Sequence, residues 1–169
     1  MEQQSQSVDH RTKAHPLGLP GLQGRAKEAV EDANMILDRV FALCDVAVQH
    51  HVMVSIENPA SSTLWHTPQF CQWAANSRAS CVTVHYCRYG CNYVKPTKFV
   101  ITSSMFTSLG LKCTHDANQH DRLSGWRDLK KPEQHCIPTA ACAAYPPQFC
   151  DQWASHVKRV LEGYEVDTD

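Results

Sequence analysis

Val52-Met53-Val54-Ser55-Ile56-Glu57-Asn58-Pro59 is the stretch on which the fold turns. It begins as a short apolar run rich in β-branched residues, which predicts a buried strand over 52–56 ended by Glu57-Asn58-Pro59. Before it, no Gly or Pro interrupts residues 25–49, and Val30, Ala33, Leu37, Val40, Cys44 and Val48 recur at three- and four-residue steps. That spacing predicts a helix with one apolar stripe. After it, Thr67-Pro68 can open a short helix, because Pro suits the first helical position. Further strands are expected over 81–85 and 98–102. A last helix is expected from Pro146-Pro147 to about Leu161, burying Phe149, Cys150, Trp153, Val157 and Leu161. Residues 113–141 show no period and read as loop. Helix, strand, helix, strand, strand, helix with buried strands is the pattern of an α/β sheet.

The chain has 169 residues, a length that predicts one folding unit. It is expected to comprise a polar tail and loop over 1–24, one α/β domain over 25–161, and an acidic tail over 162–169. No apolar run approaches the ~20 residues of a membrane helix, and the first residues lack the apolar core of a signal peptide. A formal charge of -1 excludes a strongly basic coat protein for nucleic acid, though not a local basic groove. Nine cysteines, an odd number, without a secretory signal predict reduced thiols in an intracellular protein, nuclear or cytoplasmic and not secreted.

Two segments can carry chemistry. Glu57 and Asn58 are expected at the carboxyl end of a buried strand, where ligands bind in open α/β sheets, with Asn58 orienting the carboxylate. Between the second and third strands stand Arg88, Tyr89, Tyr93, Lys95 and Lys98. Such a loop can hold phosphates through its cations and stack a base on its tyrosines. A nucleotide-binding sheet normally begins with a strand and a Gly-rich turn, and none occurs here. The chain therefore reads as the second half of a doubly wound sheet.

These segments, in this order, resemble the cytosine-5 DNA methyltransferases. Ile56-Glu57-Asn58-Pro59-x-Ser61-Ser62-x-Leu64-Trp65 looks like the Glu-Asn-Pro variant of that family's Glu-Asn-Val motif, in the form found in phage-like and retroelement-associated methylase genes. Cys87-Arg88-Tyr89-Gly90-Cys91-Asn92-Tyr93-Val94-Lys95-Pro96-Thr97 is similar to the group's next motif. Cys113, His120, Leu123-Ser124-Gly125 and Tyr145-Pro146-Pro147-Gln148-Phe149-Cys150 continue the likeness, which covers most of residues 15–161. The implied fold is the C-terminal half of a Rossmann-like methyltransferase sheet. The implied partner is DNA and the implied cofactor S-adenosylmethionine.

The resemblance also implies roles. In the family a thiolate adds to carbon six of a flipped-out cytosine, and the motif's Glu bonds the ring N3 and exocyclic amine. S-adenosylmethionine then methylates carbon five. Glu57 and Asn58 match the catalytic motif; Arg88, Tyr89 and Lys95 match the substrate side, with Lys95 where the family usually has an Arg. The Gly-rich cofactor loop is missing, and none of the nine cysteines follows a proline, so the nucleophile's Pro-Cys pair is missing too. The chain is expected to begin after the catalytic segment and to be inactive alone, as a truncated gene, a decayed copy, or one half of a split enzyme whose N-terminal half is a separate chain. The alternative is a small zinc-stabilised binding or interaction module without enzymatic activity. Cys113, His115 and His120 are its ligands, and Cys87, Cys136 or Cys142 can complete the tetrahedron. With half a sheet missing, one sheet edge and one helix face should be unusually exposed and apolar.

Overall fold

A computed structural model of the chain describes residues 9–116, 119–124, 136–138 and 142–163. It is a mixed α/β structure with a small antiparallel sheet. The chain forms two compact units. One comprises Met1–Val54 with Ser62–Arg78; the other comprises Ser55–Ser61 with Ala79–Asp169.

The first unit is helical. α1 spans Gly24–Gln49, α2 spans Pro68–Ser77, and a 3-10 turn over Thr63–His66 precedes α2. The buried side of α1 keeps Val30, Leu37, Cys44 and Val48 of the expected stripe but takes Phe41 in place of the exposed Val40. The cause is aromatic bulk. Phe41 packs 6.2 Å from Phe70 and 5.8 Å from Trp73, burying more area than a valine can. The opposite face leaves Ile36 60% and Leu43 70% exposed, an apolar surface of the kind expected. α2 starts as its sequence dictates. Thr67 caps it by accepting from the Phe70 amide, and Pro68 occupies the first turn. Part of the predicted tail is folded: Arg11 donates to the carbonyls of Pro16 and Val30, and Asn34 donates to that of Leu17.

The second unit holds the sheet. β1 is Ser55–Pro59, β2 is Ser80–His85 and β3 is Pro96–Ile101, in the order β1-β3-β2 with β3 antiparallel to both neighbours. A doubly wound sheet is not seen among the described residues. β1 begins three residues later than expected, so Glu57-Asn58-Pro59 lies inside the strand. Pairing with β3 extends it there, Glu57 opposite Phe99 and Pro59 opposite Thr97. β4 (Arg122–Ser124) and β5 (Cys136–Pro138) form a parallel pair in the segment read as loop; three residues each are too few to show a period. A 3-10 stretch over Ser104–Leu109 was equally silent in sequence.

α3 spans Pro147–Leu161 and covers one sheet face. Its Phe149 lies 5.2 Å from both Phe99 and Tyr89, and its Trp153 lies 5.1 Å from Phe99 and 4.6 Å from Phe106. Two expected members of that face, Cys150 and Leu161, are exposed. No helix among the described residues is long and apolar enough to cross a membrane. Phe149→Ala should destabilise the protein by about 3–5 kcal/mol, measured by urea denaturation, because it opens a cavity among five aromatic rings.

Candidate metal centre and strand-end site

The register puts three strand ends together. Pro59 and Val84 both pair with Thr97, and His85 pairs with Pro96, so β1 and β2 finish where β3 starts. Glu57 is near that end, the residues after β2 follow from it, and Lys95 directly precedes β3. Glu57 shares the face of Phe99, where Tyr145 and Tyr86 also gather. Burial raises the Tyr145 pKa, and the Glu57 carboxylate beside it, to which its hydroxyl can donate, raises it further. Burial pushes Tyr86 up to about 12, and Glu57 adds to the rise. Lys95 stands over the Tyr86 ring, 5.2 Å from its centroid, and its Nζ donates to the Cys142 carbonyl at 2.8 Å. Glu57 and Lys95 therefore flank one tyrosine.

The other expected contributors are placed differently. Asn58 follows Glu57 on a strand and so points to the opposite face; it is not brought beside the carboxylate. Tyr89 is 1% exposed and donates its hydroxyl to the Leu109 carbonyl at 2.6 Å. It is a core residue with no free face for a base. Arg88 is exposed, and its guanidinium donates to Thr114 Oγ1 at 2.7 Å. That bond turns Arg88 toward the loop carrying the second cluster.

Cys87, Cys113, His115 and His120 each offer one ligand atom, and the four atoms lie within 4.8 Å of one another. They are close enough to hold a metal ion. Cys113 Sγ is 3.5 Å from His120 Nε2 and 3.6 Å from His115 Nδ1, and it accepts from the His115 amide. Cys87 sits in a 3-10 turn over Tyr86–Tyr89 that ends at Gly90, whose φ of 88° suits glycine. Cys87 is buried, and burial together with the neighbouring Cys113 raises its pKa.

The loop bearing the other three ligands is tied at both ends. The Cys113 amide donates to His85 Nδ1 at 3.1 Å, and burial and Lys112 lower the His85 pKa, which keeps that nitrogen an acceptor. The Asp121 amide donates to the Asn92 carbonyl at 2.8 Å, and Asn92 donates to the Asp121 carboxylate. Between these ties, Asp116 and Gln119 bond each other and turn the chain back to present His120. Of the three cysteines left open for the fourth position, Cys87 takes it. Cys142 is buried beside Lys95 and Tyr93 instead, and the Cys136 side chain lies outside the described residues. The sequence contained this answer only weakly, since Cys87 is 26 positions from Cys113 (113 − 87).

Tyr89→Phe should cost about 1–3 kcal/mol in urea unfolding, because the buried Leu109 carbonyl loses its donor, and it should leave metal uptake unchanged. No family model matches the chain, and neither the curated proteins nor the solved structures give a match.

Proposed function

We propose that the chain is the C-terminal part of a cytosine-5 DNA methyltransferase-like domain, one that receives a base at the strand end and does not transfer a methyl group by itself. The observation that carries this reading is the meeting of Glu57 and Lys95 around Tyr86 where three strand ends coincide. A carboxyl group there can bond the N3 and exocyclic amine of an extrahelical cytosine, and Lys95 supplies the cation for its phosphate. The strand directions support the finer fold reading. β1 and β2 run the same way and are joined through α2, the connection parallel strands require. β3 lies between them and runs against both. On this reading no methyl is transferred because this sequence holds neither the Gly-rich turn for S-adenosylmethionine nor the Pro-Cys nucleophile. In gel-shift titration, the protein should bind a duplex with one unpaired cytosine more tightly than one with an unpaired thymine. Glu57→Gln should erase the difference. Equal affinity for the two duplexes would remove the basis of this assignment.

The thiol–imidazole cluster favours a second reading, a zinc-stabilised binding module without enzymatic activity. Zinc bonds sulfur at about 2.3 Å and imidazole nitrogen at about 2.0–2.1 Å. In a tetrahedron those lengths place sulfur and nitrogen ~3.5 Å apart. The two Cys113–His separations are 3.5 and 3.6 Å. Two thiols and two imidazoles also suit zinc over the hard cations, which prefer oxygen. The purified protein should carry one zinc per chain by elemental analysis, and Cys113→Ser should abolish it. Cobalt substituted for zinc should give the intense visible bands of a tetrahedral sulfur–nitrogen site.

A further inference from the structure

We infer that zinc in the Cys87, Cys113, His115 and His120 cluster is a clasp that holds residues 86–95 in the shape the strand-end site requires. This rests on the zinc reading above and joins it to the Glu57 site.

The argument starts from the turn over Tyr86–Tyr89. With about three residues per turn, successive side chains of a 3-10 turn leave its axis in different directions. Cys87 goes to the metal cluster, while Tyr86 and Tyr89 go to the aromatic core around Phe149. A ligand bond at Cys87 therefore fixes the backbone that presents Tyr86, the ring flanked by Glu57 and Lys95. The other three ligands belong to the 111–121 segment. Its ties to the 85–93 segment are polar and sit at its ends: Leu111 to His85, Cys113 to His85, Thr114 to Arg88, and Asp121 to Asn92 and Tyr93. Cys113 and His120 are half-buried and His115 is exposed, and none of the three is in the buried apolar core of the described residues. A cross-link through one cation is the interaction that can close this gap. On binding, Cys87 and Cys113 each give a proton to solvent and bond the ion as thiolates. The cross-link joins Cys87, at the start of the segment that leads into Lys95, to the 113–120 loop, which bonds Asn92 further along that segment through Asp121, so occupancy at the metal governs order at the strand end.

Hydrogen exchange on the full chain, loaded with one equivalent of zinc or stripped with EDTA, tests this, with zinc content measured on the same samples. Zinc should slow exchange at least tenfold over both 111–121 and 86–95 and leave α2 unchanged. His115→Ala, which alters an exposed side chain, should remove the slowing in both segments. Stoichiometric zinc with slowing confined to 111–121 would overturn the clasp and leave the zinc reading standing. Absence of bound zinc would overturn both.

Discussion

Strand β3 is the constraint on which the second unit depends. It hydrogen-bonds along both edges, to β1 and to β2, and without it those two strands would have no partner in the sheet. It starts at Pro96, which cannot donate to a ladder and is tolerated at a strand's first residue. From there Phe99, Val100 and Ile101 are buried. Phe99 meets Tyr145, Phe149 and Trp153, so the sheet and α3 share one aromatic core. That core contributes area burial and ring contacts worth roughly 0.5–1.5 kcal/mol per pair beyond area.

The same strand decides where polar chemistry sits. Its start is the common end of the sheet, and its register brings Glu57 from β1 to the face of Tyr86 and Tyr145. The loop that enters it supplies Lys95 on one side and, through Cys87, one of four groups close enough to hold a metal ion on the other. Residues 85–95 thus serve two sites and the core at once. Tyr89 illustrates the competition: a phenol in a cation-rich loop looks made for a base, yet burial of its ring and a bond from its hydroxyl claim it for the interior.

Much of the framework was legible in the residues. The 3.6-residue period over 24–49, the Thr67-Pro68 start and the Pro-led last helix are local signals, and the helices form where those signals lie. The β-branched runs located β2 and β3 to within two residues. Local signals end there. Which of Val40 and Phe41 faces inward depends on Phe70 and Trp73, some thirty residues away in sequence. β1 runs past Ile56 because β3 is there to pair with Glu57, Asn58 and Pro59, and no property of that tripeptide announces it.

The sequence by itself determined the kinds of group available: a carboxylate near a strand end, a basic aromatic loop, and soft ligands spaced through 113–120. Residue type and helical or strand period are properties of the chain near each position, so they can be read without the fold. Tertiary structure alone decided which of those groups meet. It chose Cys87 over Cys142 as the thiol beside Cys113, turned Arg88 toward Thr114, withdrew Tyr89 into the core, and split Asn58 from Glu57 across the sheet. The physical reason is that ligand distances and burial are set by strand register and by packing between segments far apart in sequence, and neither leaves a mark on the local pattern of residues.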